Sequence, residues 1–304
     1  MRGYQGKNVL VSGGDGFLGR PVVLRLLDLG AKVTIISGGG GEGPGAALLP
    51  GCPVYRPEEI DHLSFSGGLE AIIFLNHPVI MANHEIGTYF VDQHLSLLNK
   101  LLRLAGRNAS YFLYASSVAV YGKQRYLPID EDHPLEPLLL YGAIKLAGEY
   151  FCRAIALEYG FLYSIVRFGD LYGPGSRDAG EPALLLDSAL RSKPLILRGS
   201  GGQVRTYLFI DDAVEATLRV LGLKPANQTV NIAGSEYISI LHLAHLIKQG
   251  YSAKAEVKAG KSNLLDEIEC CIDSRKAEGL LDFRPGISLS EGLSRTSHWI
   301  LRGS

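Results

Sequence analysis

The chain has almost no excess charge: 30 Lys and Arg stand against 31 Asp and Glu, a formal net charge of −1 over 304 residues. No long basic run breaks that balance, so the electrostatic footprint of a nucleic-acid binder is missing and no nucleic-acid partner is expected. Long apolar runs are missing too. Nothing reaches the ~18 consecutive apolar residues of a membrane span, and the opening "MRGYQGKNVLVSGG" lacks the apolar stretch and cleavage site of an export signal. The expectation is a cytoplasmic protein without membrane attachment. Cysteine is scarce: Cys52, Cys152, Cys270 and Cys271 follow no metal-ligand spacing, so no metal site is expected. In a reducing compartment they read as free thiols, and the adjacent Cys270–Cys271 pair, without the two-residue spacer of a redox pair, reads as strand packing. What is present is hydrophobic content of 46%, enough at this length for a full α/β core.

Short β-branched runs alternate with longer helical stretches, and no internal repeat is found. Strands are expected at 7–13, 31–37, 70–76, 110–117, 162–170 and 228–234, and helices at 17–30, 84–106, 139–160, 210–222 and 239–250. That alternation implies an α/β fold with a parallel sheet covered by helices on both faces. "GGGGEGPG" at 38–45 is too glycine-rich for regular structure, and 171–207 is broken by Gly and Pro.

After the first strand comes "GGDGFLG", which places Gly13, Gly16 and Gly19 three apart. Glycines there permit a tight strand-to-helix turn and a close backbone approach to a pyrophosphate, which then faces N–H groups at a helix N-terminus. The segment Gly13, Asp15, Gly16, Phe17, Leu18 and Gly19 is therefore the expected cofactor cradle. The sheet becomes a Rossmann-type doubly wound one, with a dinucleotide-binding domain over 1–170, return segments at about 205–232, and a smaller substrate-binding lobe drawn mostly from 171–304. The carboxylate that takes the adenosine ribose in such folds is replaced by Ser37, followed by four glycines. No Asp there favours NAD and no Arg directly follows to grip a 2′-phosphate, so the residues leave the choice open, with NAD expected and NADP the alternative. Arg20, just past Gly19, offers a cation for a 2′-phosphate or is a solvated helix residue.

"YGAIK" puts Tyr141 and Lys145 four apart on one helix face. A phenol titrates near ~10 in water, so acid–base work at neutral pH needs a neighbouring cation. Alone the pair could be an amphipathic stripe. It is joined by Ser116 and Ser117, 24 residues before Tyr141 at the C-terminal end of a strand, the edge where open α/β sheets bind ligands.

With Tyr121-Gly122 following Ser117 and with "RFGDLYGPG" at 167–175, these motifs resemble the extended short-chain dehydrogenase/reductases, nearest the nucleotide-sugar epimerase/dehydratase group. "GGQVRTYLFIDDAVEA" (201–216), "VNIAGSEYIS" (230–239) and "DSRKAEGLLDFRP" (273–285) resemble that group's later signatures, in the expected order over nearly the whole chain. The resemblance implies that Tyr141 takes the proton from a sugar hydroxyl while hydride leaves for the nicotinamide. Lys145 would bind the nicotinamide ribose and lower the Tyr141 pKa, and Ser117 would hydrogen-bond the reacting oxygen. Ser116 would contact the cofactor or cap the strand. Arg205 would hold the diphosphate of a nucleotide-sugar substrate, a role suited to a forked donor. Homodimerisation through helices 84–106 and 139–160 is implied as well.

Several positions depart from the family pattern. Its Leu-Ala-Ala beside the cofactor is Leu75-Asn76-His77 here, and its asparagine on the next helix is replaced by Gln93 or His94. Asp170 occupies a substrate position usually held by Asn, and Lys261-Ser262-Asn263 stands where a second diphosphate arginine is common. After Ser117 come Val118 and Ala119, where dehydratases of the group carry Asp-Glu, decarboxylases a Glu, and epimerase-reductases a Cys. Neither side chain moves a proton, which argues against elimination. Two reactions need only Ser, Tyr, Lys and a hydride carrier: C4 epimerisation of a nucleotide sugar, the favoured reading, and NAD(P)H-dependent reduction of a 4-keto sugar. A non-catalytic nicotinamide sensor is a third reading, opposed by the retention of Ser117, Tyr141 and Lys145.

Overall fold

The computed structural model describes residues 3–37, 49, 51–77, 88–175, 180–252, 254–261 and 268–302. The glycine-rich stretch 38–45, residues 84–87 of the expected long helix, and Ser262 and Asn263 lie outside them.

Strands form where aliphatic and β-branched residues cluster: β1 Asn8–Ser12, β2 Lys32–Ile36, β3 Val54–Tyr55, β4 Ala71–Phe74, β5 Tyr111–Ser117, β6 Leu162–Phe168, β7 Asp170–Tyr172, β8 Leu195–Ile196, β9 Val204–Phe209, β10 Gln228–Ile232, β11 Tyr237–Ser239 and β12 Val257–Lys258. The helices are α1 Gly19–Asp28, α2 Thr88–Asn108, α3 Leu140–Tyr159, α4 Gly180–Leu190, α5 Ile210–Leu223, α6 Ile240–Tyr251, α7 Arg275–Leu281 and α8 Leu289–Leu301. Among the described residues no helix is long and apolar enough to cross a membrane.

Seven strands make one sheet in the order β10-β6-β5-β4-β1-β2-β3. β1 pairs in parallel with β2 on one side and β4 on the other, and β4 pairs in parallel with β5. Every residue of β4 and the last four of β1 and β2 are buried, as parallel strands covered on both faces require. The winding reverses between β1 and β4, so the crevice at their C-terminal ends is the ligand-binding position of a doubly wound sheet. The expected α/β class and parallel sheet are what the structure has. One face is filled by α2 and α3, whose Leu98, Leu101, Leu102, Cys152 and Ala156 join Phe74, Phe112 and Tyr114 in a buried cluster.

Two compact units are distinguished. The first comprises Met1–Val120, Pro137–Arg167 and Val214–Val230; the second comprises Tyr121–Glu136, Phe168–Ala213 and Asn231–Ser304. Within the second, β9 is the middle strand of a three-stranded sheet, parallel to β7 and antiparallel to β11. The stretch 171–207 is less broken than its Gly and Pro suggest, since it holds α4, β8 and most of β9. Pro182 falls in the first turn of α4, where the missing N–H has no intrahelical acceptor to lose.

Candidate active site

The glycine turn is built by close approach. Gly13 leaves β1 at φ +77°, and a Cβ at Gly19 would lie 1.8 Å from Gly13 O. Gly16 N–H donates to Gly13 O at 3.1 Å, which closes the turn before α1 begins. Leu18 caps α1 without a side-chain hydrogen bond, and no acidic residue sits in the first turn. Inside α1 the Arg20 N–H donates to Gly16 O, the Val22 N–H donates to Leu18 O and Pro21 has none, so an anion is left to the N–H groups of the glycine turn at the head of the helix. This cradle fits the pyrophosphate of a dinucleotide, with Gly13, Asp15, Gly16, Phe17, Leu18 and Gly19 as its backbone. Ser37, at the end of β2, donates its hydroxyl to Asp15 Oδ2 at 2.9 Å.

Across the switch point, β4 is followed by Leu75, Asn76 and His77. Asn76 Oδ1 accepts from Ser12 Oγ, which ties the ends of β1 and β4 together. Asn76 O accepts from Lys145 Nζ at 2.8 Å, and Ala115 O accepts from the same amine at 2.8 Å. Lys145 is 2% exposed and lies over the Tyr114 ring at 5.4 Å and the Tyr141 ring at 6.0 Å. Burial pushes its ammonium down to about 7. The His77 ring stacks on Tyr141, with centroids 4.7 Å apart and planes at 28°.

Ser117 sits where β5 gives way to a 3-10 turn, Val118–Val120, and its Oγ accepts from Ala119 N–H at 3.1 Å. Accepting there leaves its own proton available for donation. Val118 is buried and Ala119 half-buried, so the two residues without acid or base serve packing. α3 begins directly against this turn, because Gly142 has no side chain: a Cβ there would meet Ala119 O at 2.4 Å. That approach sets Tyr141, one residue earlier, beside the turn that carries Ser117. Ser116, read as a cofactor contact or strand cap, points into the core instead. Its hydroxyl donates to the buried Glu149 at 2.7 Å, and Glu149 is also gripped by both forks of Arg167 at 2.8 and 2.7 Å. Any Ser116 contact with a cofactor is left to its backbone.

Of the two candidates for the family's asparagine, Gln93 is exposed and His94 faces inward. His94 is 6% exposed, edge-on to Phe74, and its Nε2 has no hydrogen-bond partner among the described residues. Burial first, then the charges of Lys145 and His77, push it down to about 2, so it is a neutral imidazole.

In the second unit, Arg205 on β9 is buried, with Nη1 donating to Cys270 Sγ at 3.0 Å and Nε unpartnered among the described residues. Asp170, on neighbouring β7, is close enough to Arg205 and Glu181 to couple to both; burial pushes its carboxyl up, opposed by Arg205. Burial also pushes the Cys270 thiol up to about 11, so it is inert at neutral pH, and all four cysteines are free. A buried guanidinium whose nearest donor contact is a neutral thiol retains charge and N–H capacity for an anionic ligand.

A doubly wound sheet with a glycine cradle at its switch point, and Ser117, Tyr141 and Lys145 along the same edge, defines a nicotinamide-dinucleotide enzyme of the extended short-chain dehydrogenase/reductase class. The chain belongs to the NAD dependent epimerase/dehydratase family, whose model matches residues 9–233. It is thus an NAD-dependent enzyme. A putative UDP-glucose 4-epimerase of Methanocaldococcus jannaschii is 29% identical over 96% of this chain and 98% of its own length. An uncharacterized UDP-glucose epimerase, YtcB, of Bacillus subtilis is 30% identical over 94% of this chain and 95% of its own. Among solved structures, UDP-glucose 4-epimerase of Thermotoga maritima with UDP-glucose superposes with a TM-score of 0.86 at 26% identity, covering 97% of this chain and 99% of that one.

Proposed function

We propose that this protein is a nucleotide-sugar 4-epimerase acting on a uridine diphosphate hexose, with Tyr141 as its acid and base. The observation that carries the reading is the Lys145 anchor. A buried ammonium, held by the carbonyls of Asn76 and Ala115 and set over Tyr141, is placed to favour a phenolate. Three similar proteins named as UDP-glucose epimerases support the substrate class.

NAD, when bound, supplies a reversible acceptor for the C4 hydride of the sugar. The chain's own residues handle the proton. Tyr141 takes it from the C4 hydroxyl and returns it after the 4-keto sugar has turned over. Ser117 donates to the same oxygen, and Lys145 keeps the phenolate favourable. Arg205 neutralises the diphosphate, and Asp170 on the neighbouring strand lies close enough to act on it electrostatically. The glycine cradle, the backbone of Leu75 and Asn76, and the His77 ring enclose the cofactor side. Val118 and Ala119 give the ketone no acid or base for eliminating water, which restricts the outcome to inversion or reduction.

The test is incubation of purified protein with UDP-, dTDP- and GDP-hexoses without added cofactor. The C4 epimer with no net absorbance at 340 nm is expected with the UDP sugars. Oxidation of added NADPH by a 4-keto sugar, with no epimer formed, would move the assignment to the reductase.

The oligomer belongs to the same proposal. α3 exposes Phe151, Tyr150 at 58% and Leu157 at 87%, an apolar face suited to a second copy of the chain. We assign a homodimer through α2 and α3; Leu157→Glu should convert it to monomer in light scattering, and an unchanged mass would refute the interface.

A further inference from the structure

The end of β2 is where a doubly wound dinucleotide site meets the adenosine ribose, normally with a carboxylate some 20 residues past the glycine turn. Ser37 occupies that place and cannot serve as the carboxylate. The structure brings one in from the glycine turn itself. Asp15, between Gly14 and Gly16, reaches the end of β2, where Ser37 Oγ donates to its Oδ2 at 2.9 Å. Ser37 is in turn fixed, since its backbone N–H donates to Tyr55 O at 3.0 Å and so joins the ends of β2 and β3. Both side chains are half-buried, so the pair is neither a loose surface contact nor sealed from a ligand.

We propose that Asp15, clamped by Ser37, is the ribose-recognising carboxylate of this protein and the group that selects NAD over NADP. The proposal rests on the NAD reading of the glycine cradle. A carboxylate has about four lone-pair sites. One is taken by Ser37, and the others are open to the ribose hydroxyls of NAD. NADP offers no proton at the 2′ position and carries a phosphate there instead. Placing that phosphate against Asp15 is a like-charge juxtaposition, which disfavours NADP. Moving the carboxylate from strand to turn also accounts for a sequence in which Ser37 follows β2 where the carboxylate is usual, without surrendering the group that rejects a 2′-phosphate. Arg20, the cation that could have accepted that phosphate, follows Gly19 on α1, five residues after the carboxylate that repels it.

Isothermal titration calorimetry of the full chain, freed of bound nucleotide, reads the selectivity without any turnover. Wild type should bind NAD roughly a hundredfold more tightly than NADP, the equivalent of about 2.7 kcal/mol. Asp15→Asn should weaken NAD, strengthen NADP, and bring the ratio below about tenfold. Ser37→Ala keeps the charge but loses the clamp, so it should weaken NAD by about threefold and still reject NADP. If Asp15→Asn does not fold, Asp15→Ser makes the same comparison. A wild type with no preference, or an Asp15 variant that keeps the wild-type ratio, overturns the proposal. A wild type that binds neither nucleotide overturns the NAD reading itself.

Discussion

Replacing Lys145 with methionine separates a functional cation from a structural one. In the folded protein Lys145 is buried and its pKa falls from 10.5 to about 7. At ~1.4 kcal/mol for each tenfold, holding the charge there costs about 5 kcal/mol, which methionine would recover. Against this, the carbonyls of Asn76 and Ala115 each lose a buried donor, at ~1–3 kcal/mol apiece. The two effects nearly cancel, so Lys145→Met should change stability by no more than about 2 kcal/mol. Activity should behave differently, falling by ~10²–10⁴, the range for losing assisted proton transfer. A pH signature accompanies the mutation. Because the folded pKa lies below the unfolded one, the unfolded chain binds more protons between them, and the wild-type protein gains stability as pH rises through that window. Between about pH 7 and pH 8.5 the gain from Lys145 is on the order of 1–2 kcal/mol, and it should vanish in Lys145→Met. Urea melts at both pH values, alongside progress curves for the UDP sugar, supply all three readings. A mutant that loses activity only in proportion to lost stability, or that keeps the wild-type pH slope, would refute the assignment.

Three further outcomes are expected. Glu149→Gln leaves the buried Arg167 guanidinium without its counter-charge and should cost ~3 kcal/mol, a drop of roughly 5–10 °C in Tm; a change under about 1 kcal/mol in calorimetry would contradict the view of that network as an anchor. His77→Ala removes the ring stacked on Tyr141 and should lower kcat by about tenfold with KM little changed. His77→Phe restores the stack and should recover most of the rate; a phenylalanine variant as slow as alanine would mean that His77 carries a proton. Arg205→Met should raise KM for the UDP sugar at least ~10-fold while leaving NAD affinity intact, and an unchanged KM would remove Arg205 from the diphosphate site.

The residues legible in the sequence are those whose function depends on local spacing. Gly13, Gly16 and Gly19 act through one turn, and Tyr141 and Lys145 through one turn of α3, so their letters alone place them. Contacts set by sheet order were not legible. Lys145 finds its carbonyls 69 and 30 residues away, one just past β4 and one on β5, which adjoin because those strands pair. Asp15 and Ser37 are 22 apart and meet because β2 lies next to β1. Ser116 looks like a site serine from its position, yet its direction along the strand turns it toward Glu149, 33 residues on. Other elements carry local signals of their own. Pro182 stands in the first turn of α4, where proline starts helices well, and Ser288 with Glu291 is a capping signal for α8 that the structure uses, Ser288 Oγ accepting from Glu291 N–H.

The central claim is that hydride leaves C4 of the sugar and returns to the same molecule, with Tyr141 moving the proton. UDP-hexose carrying deuterium at C4, incubated with the protein in ordinary water, tests this directly by mass spectrometry of the recovered epimer. The account predicts that the epimer keeps its deuterium at C4 in the wild-type protein and that Tyr141→Phe forms it at least ~10² times more slowly. Loss of the label to solvent, or wild-type turnover by Tyr141→Phe, would contradict it.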